Sequence, residues 1–212
     1  MDRSFVRILG SVTLREPVFV DLTAFQGSPV QSTGQILIEK SRADKIGELY
    51  SPYFEDYVTV ASSGLSSLPK IEFHASSNVT PNLLILTGEQ NADPNDVYAN
   101  YEIAETVLDY SVAQGCKTFV SCTVFRSRRA KDAVYVASAT SSEASVLAER
   151  LGVKTFGFGR IVSQMGPLLG LAKARGFRVI SILGPLKSSP EDETLPGILL
   201  DVLAEALELK LI

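Results

Sequence analysis

A glycine-studded block at residues 157–184 constrains the fold of this chain more than any other stretch. It follows a short apolar run at residues 153–158 that reads as a strand. Gly157 and Gly159 loosen the backbone, and Pro167 fits the first turn of a helix, where its missing N–H costs nothing. Leu168, Leu169, Leu171 and Ala172 give that helix an apolar side, and Gly170 reads as a point where a neighbouring backbone comes close. Lys173 and Arg175 complement the negative end of the helix dipole, and Gly176 suits the left-handed position after it. Residues 177–183 are apolar apart from Arg178 and Ser181, as expected of a strand buried on both faces. Strand, helix and strand in this order predict a βαβ unit whose helix crosses between two neighbouring parallel strands. The fold class is therefore α/β.

The rest of the chain supplies matching parts. Residues 5–9 and 18–22 read as short strands around a turn at Glu16 and Pro17. Ser32 and Gln35 stand in capping-box relation, and Ile36, Leu37, Ile46 and Leu49 offer one apolar face of a helix behind them. Residues 50–57 are aromatic and irregular, residues 58–61 read as a strand, and residues 62–67 read as a Ser/Gly-rich loop. Residues 71–75 alternate, with Glu72 and a solvated His74 on one face. Residues 82–87 and 118–125 are buried strands. Between them lies a helix capped by Asp93, with Pro94 at its first position, that runs to Gln114. Residues 134–137 form a short strand, and Thr140 with Glu143 opens a helix that ends at Leu151. A polar linker at 187–194 leads to a last helix from Pro196 to near Ile212. No repeat or second-domain boundary is visible, so residues 1–212 are expected to form one domain.

A net charge of −4 and a pI near 5.1 argue against nucleic acid as a partner. Cys116 and Cys122 match no metal spacing and read as buried thiols of a reducing compartment. No signal peptide and no apolar run of about 20 residues is present, so the expected location is cytoplasmic, away from the membrane. Neither a nucleophile elbow, a phosphate loop nor a dinucleotide fingerprint occurs, and no cofactor or metal is expected. One candidate site remains. In open parallel sheets ligands lie beyond the carboxyl ends of the strands. That geometry nominates Gly88, Glu89 and Gln90 after one strand and Gly157, Gly159, Arg160 and Ser163 after another, with Glu89 as the best-placed acid. A small-molecule site or hydrolase-like centre near Glu89 therefore stands beside a purely structural role for these glycines.

Several stretches, in order, resemble the proteasome assembly chaperone 2 family in its archaeal form. They are Phe25-Gln-Gly-Ser through Ile36-Leu-Ile38, Leu83-Leu-Ile-Leu-Thr-Gly-Glu89, Tyr98-Ala-Asn-Tyr-Glu-Ile-Ala104 and Val134-Tyr-Val-Ala-Ser-Ala-Thr140. Above all there is Gly166-Pro-Leu-Leu-Gly-Leu-Ala-Lys-Ala-Arg-Gly176 with Leu183-Gly184 behind it. The resemblance implies a three-layer α/β/α fold with a mostly parallel mixed sheet, similar to the phosphorylase/hydrolase-like architecture. It also implies a homo-oligomer and a non-enzymatic assembly-chaperone role on proteasome α-subunits. Some members dock through a C-terminal hydrophobic-Tyr-any tripeptide. Here the chain ends Lys210-Leu211-Ile212, without the tyrosine.

Overall fold

A computed structural model describes residues 1–60, 62–89, 92–125, 133–157, 159–161, 165–186 and 194–211. In chain order its elements are β1 (Phe5–Ile8), β2 (Val18–Ala24), α1 (Pro29–Ser41), β3 (Asp44–Tyr50), β4 (Thr59–Val60), β5 (Ser66–Ser67), β6 (Ile71–Ser76) and β7 (Leu83–Glu89). There follow α2 (Val97–Ala113), β8 (Thr118–Phe125), β9 (Tyr135–Ser138), α3 (Ser141–Arg150), β10 (Lys154–Thr155), α4 (Met165–Ala174), β11 (Arg178–Pro185) and α5 (Leu195–Ala206). Nine strands make one sheet in the order β1-β3-β6-β7-β2-β8-β11-β9-β10, while β4 and β5 form a separate hairpin.

The four strands with the longest apolar runs, β7, β2, β8 and β11, lie side by side and parallel at the centre. Each side chain in such a run is buried on one face or the other. Val20, Leu22, Ile85, Val120 and Ile180 point towards α1, α3 and α5, whereas Phe19, Leu84, Leu86 and Phe119 point towards α2 and α4. Phe19 meets Phe119 across two strands at 5.1 Å. Fully burying each of these side chains is worth about 1.5–3 kcal/mol, so the core is concentrated on this quartet. Helices on both faces give the expected three layers. Outside the quartet the sheet is more mixed than the sequence suggests. Among the described residues its pairings divide into four parallel and four antiparallel.

The glycine-studded helix does not cross between neighbouring parallel strands. β10 is only two residues long, sits at the edge and pairs with β9, which separates it from β11 and runs antiparallel to β11. Burial explains the exchange. Tyr135 and Val136 of β9 are buried beside β11, whereas Lys154 and Thr155 of β10 are exposed. Nor does Gly170 admit a neighbouring backbone, since nothing lies within 4 Å of where its Cβ would stand. The close approach is at Gly166, where a Cβ would sit 2.6 Å from the Ile161 carbonyl oxygen.

A second difference concerns residues 42–50. Ser28, not Ser32, caps α1, its Oγ accepting from the Val30 N–H at 3.3 Å with Pro29 at the first helical position. The helix stops at Ser41 because Arg42 turns left-handed (φ 49°), and Ile46 and Leu49 belong to β3. A β-bulge there explains the helical reading. Lys45 pairs with His74 and Gly47 with Phe73, so Ile46 is the extra residue. The bulge spaces Ile46 and Leu49 three apart on one face and Lys45 and Glu48 three apart on the other. A strand thereby imitates a helical period. Smaller differences lie at helix ends. Asp96 caps α2, while Asp93 accepts from the Asn95 N–H in the preceding turn, and α5 stops at Ala206. Thr140 caps α3 as expected, accepting from the Glu143 N–H at 3.2 Å. Among the described residues no helix is long and apolar enough to cross a membrane.

Candidate functional site

β2 continues into α1 on one face of the sheet and β7 into α2 on the other. The crevice between their carboxyl ends is therefore the switch point at which α/β sheets hold ligands. Gly88 and Glu89 lie on its wall. A cleft of about 490 Å³ runs between α1 and β6–β7 past Gln31, Gln35, His74 and Glu89. A smaller one of about 270 Å³ lies under the β4–β5 hairpin, past Tyr57, Leu68 and Lys70. Both are lined by Glu72, Thr87, Gly88 and Glu89. The Tyr57 hydroxyl reaches Glu89 Oε2 at 3.4 Å. Gly88 has φ +135°, and a Cβ there would meet the Ile71 Cα at 3.1 Å and the Lys70 carbonyl oxygen at 3.2 Å, so only glycine fits.

The other nominated residues lie elsewhere. In the sheet, β2, β8, β11 and β9 stand between β7 and the short β10 that precedes Gly157, Gly159 and Arg160. None of these three lines either cleft at Glu89. A Cβ at Gly159 would instead stand 3.7 Å from the Phe156 ring, and that ring meets Phe125 at 5.3 Å. Gln90 and Ser163 fall outside the described residues.

Beside the cleft, strand pairing assembles a charged cluster that no local motif announces. Register places Arg7, Glu48, Glu72 and Thr87 in one row across β1, β3, β6 and β7. Two carboxylates directly opposite one another repel, so they need cations between them. Lys45 Nζ lies 3.0 Å from Glu48 and 3.1 Å from Glu72. Lys70 contacts both carboxylates as well. The Tyr50 hydroxyl donates to Glu48 at 2.9 Å, and His74 Nε2 lies 3.4 Å from Glu72. His74 is thus half-buried against a carboxylate, not solvated, and its Nδ1 is buried without a partner among the described residues. Burial pushes the Glu48 carboxyl up, but Lys70, Lys45 and Tyr50 together outweigh it and hold it at about 2. For Glu72 the His74 hydrogen bond comes first; burial opposes it, and the two lysines complete the shift to about 2.

These directions fix a sign. Carboxyls lowered by folding stabilise the native state above their ordinary range and lose that contribution as pH falls through 4.5 towards 2. Glu48→Gln is expected to cost about 2 kcal/mol at neutral pH, because it weakens three hydrogen bonds to a buried anion. The gap from wild type should close as pH falls towards about 2. Urea titrations at several pH values check this.

On the opposite face a second polar row lies under α2 and α4. Asp21 pairs in register with Ser121, whose hydroxyl donates to Ser181 at 3.0 Å. Asp21 is fully buried. Its Oδ1 accepts from the Thr23 N–H at 2.9 Å and the Thr23 hydroxyl at 2.8 Å, and its Oδ2 has no partner among the described residues. Burial raises its carboxyl to about 6 against the lowering by Thr23. Both cysteines are buried and unpaired. Burial pushes the Cys116 thiol up to about 12, and burial with the Asp21 charge raises Cys122 further. Such thiols are not nucleophiles at neutral pH. Among the described residues His74 Nε2 faces Glu72 and its Nδ1 has no partner, so the ring hydrogen-bonds no hydroxyl or thiol, and no group of three His, Cys, Asp or Glu side chains could hold a metal.

The PAC2 family model matches residues 27–212. The chain belongs to the PAC2 family. Its fold is that of solved PAC2-like structures. Pyrococcus furiosus PbaB, an archaeal proteasome activator, superposes with a TM-score of 0.88 at 24% identity, over 100% of this chain and 92% of the other. P. furiosus PbaA, an archaeal homologue of proteasome-assembly chaperone, gives 0.76 at 19% identity over 99% and 88%. A proteasome-assembly chaperone homologue from Mycobacterium tuberculosis gives 0.70 at 13% identity over 92% and 87%. A comparison with curated proteins gives no match. In this PAC2 protein Asp21, Lys45, Glu48 and Lys70 belong to no motif in the sequence. Only Asp21 left a local signal, as a lone acid in an apolar strand.

Proposed function

We propose that this PAC2 protein is a non-enzymatic, cytoplasmic interaction protein that assists proteasome assembly by binding proteasome α-subunits. The observation that carries the reading is family membership over residues 27–212, together with likeness along the whole chain to an archaeal proteasome activator. The chemistry agrees. The thiols are buried and protonated, and the charged groups beside the clefts neutralise one another. The alternative, a small-molecule or hydrolase-like centre at Glu89, is less well supported, because no nucleophile–base pair accompanies the cleft among the described residues.

Self-association belongs to the same proposal. β1 is an edge strand, and Phe5, Ile8 and Leu9 are exposed along it. Sedimentation of the full chain, alone and with recombinant α-subunits, tests both parts. The expected result is a mass above the monomer for the chain alone, and co-sedimentation with α-subunits at concentrations of order 10 µM. Independent boundaries in the mixture would refute the partner, and a monomer at high concentration would refute the oligomer.

A further inference from the structure

We propose that the groove between the first turns of α2 and α4 is a binding site for a small, neutral aromatic molecule carrying one hydrogen-bond donor, with the Asn100 side-chain carbonyl as the acceptor that meets it. The inference goes beyond the assembly role and does not depend on it. α2 and α4 lie side by side on one face of the sheet. Between them runs a groove of about 560 Å³, within the range of small-molecule sites. Pro94, Val97, Tyr101, Ile161, Pro167 and Leu171 wall it. Two glycines keep it open. Gly166 lines it where the chain folds back on the Ile161 carbonyl. Gly170, one turn on, lines it with nothing within 4 Å of where a Cβ would stand. A large side chain at 170 would therefore occupy groove space.

The walls define the class of molecule. Among the described residues no Lys, Arg, His, Asp or Glu side chain lines the groove, so an ion would lose its hydration there without compensation. The two proline rings and the Tyr101 ring suit the flat face of an aromatic. One group asks for more than apolar contact. Asn100 lines the groove and is only 3% exposed. Its Nδ2 donates to the Asp93 carbonyl at 3.0 Å and to the Asp96 carbonyl at 2.7 Å, and these two bonds fix which way the amide faces. Its Oδ1 is left as a buried acceptor with no partner among the described residues. Buried side-chain acceptors are paired in the large majority of native structures, so this one calls for a donor. Water is a poor candidate. It needs about two to four polar partners, and among the described residues only Asn100 and the Tyr101 hydroxyl bring polar side chains to the groove. An N–H or O–H carried on an apolar ring satisfies Oδ1 and leaves the walls dry.

The test titrates the isotope-labelled full chain with indole and with 1-methylindole, which lacks the ring N–H, and follows the amide chemical shifts. The expected result is saturable shifts confined to residues 94–101 and 166–171. Indole should bind with a Kd on the order of 1 mM, the strength open to so few atoms. 1-Methylindole should bind about fivefold more weakly or worse, because it cannot donate to Asn100 Oδ1. Gly170→Leu should keep the wild-type melting temperature or raise it, since leucine is the better helix former, and should weaken indole about tenfold or more by filling the groove. If the leucine disturbs the fold, the two probes on wild type decide the matter by themselves. The absence of any saturable shift up to about 10 mM would overturn the site. Equal affinity for the two probes would overturn it as well, because Asn100 would then read nothing. So would shifts centred elsewhere, or indole affinity that a folded Gly170→Leu protein retains. α-Subunit binding is a separate measurement that none of these outcomes touches.

Discussion

Replacing Asp21 by asparagine is expected to remove a pH dependence of about 3 kcal/mol from the stability of this protein. The carboxyl is fully buried, with one oxygen lacking a partner among the described residues, and folding raises it from 3.8 to about 6. A raised acid favours the native state while protonated in both states, below about 3.8, and that advantage disappears as pH rises through about 6. Near pH 7 the ionised form therefore costs about 3 kcal/mol, since each tenfold weakening of the acid on folding is worth ~1.4 kcal/mol. Asparagine keeps the acceptor that Thr23 uses and carries no charge. The variant should thus gain on wild type steadily between about pH 4 and pH 7, with little difference at the acid end. Glu48 and Glu72 act with the opposite sign below 4.5. From these three carboxyls the wild-type maximum lies roughly between pH 4 and pH 5. Stabilities of wild type and Asp21→Asn that run parallel between about pH 4 and pH 7 in urea titrations would contradict the assignment.

Gly88→Ala is expected to destabilise the protein by about 3 kcal/mol or more. Two costs add. The backbone at φ +135° is one that side chains with a Cβ rarely adopt, and the new methyl would press on the Ile71 Cα and the Lys70 carbonyl. Both neighbours are backbone of β6 or its approach, paired with β7, so they cannot step aside without breaking the ladder. Gly170→Ala supplies the control. It lies inside α4 with nothing within 4 Å, and should stabilise by about 0.5–1 kcal/mol through helix propensity. The two alanines together separate a glycine required by geometry from one that is merely tolerated. A Gly88→Ala protein as stable as wild type would mean that the crevice wall is softer than the structure has it.

The contrast between these glycines shows what was legible in the sequence. β2, β7, β8 and β11 were readable because continuous apolar runs have one physical explanation, burial on both faces. The Thr140 cap was readable because it is local. The neighbour of β11 was not, because two short segments competed for that place and the burial of Tyr135 and Val136 decided it. β3 imitates a helix in the sequence because the bulge at Ile46 gives a strand helical spacing. Gly88 and Glu89 line a cleft at the end of β7, whereas Gly157, Gly159 and Arg160 follow the distant edge strand. The Lys45, Glu48, Lys70 and Glu72 cluster was invisible because pairing of β3 with β6 creates it between residues far apart in the chain. The hairpin was half visible. Val58 and Val60 alternate as a strand should, but the Ser/Gly-rich stretch behind them reads as a loop, although it returns as β5.

If the proposed role holds, this PAC2 protein works by binding another polypeptide. Hydrogen exchange of the full chain with and without saturating proteasome α-subunits reads that contact. Slowed exchange confined to surface segments, with the central strands β2, β7, β8 and β11 unchanged, is the expected result. Exchange unaltered everywhere on the chain, with α-subunits in excess, would refute the role.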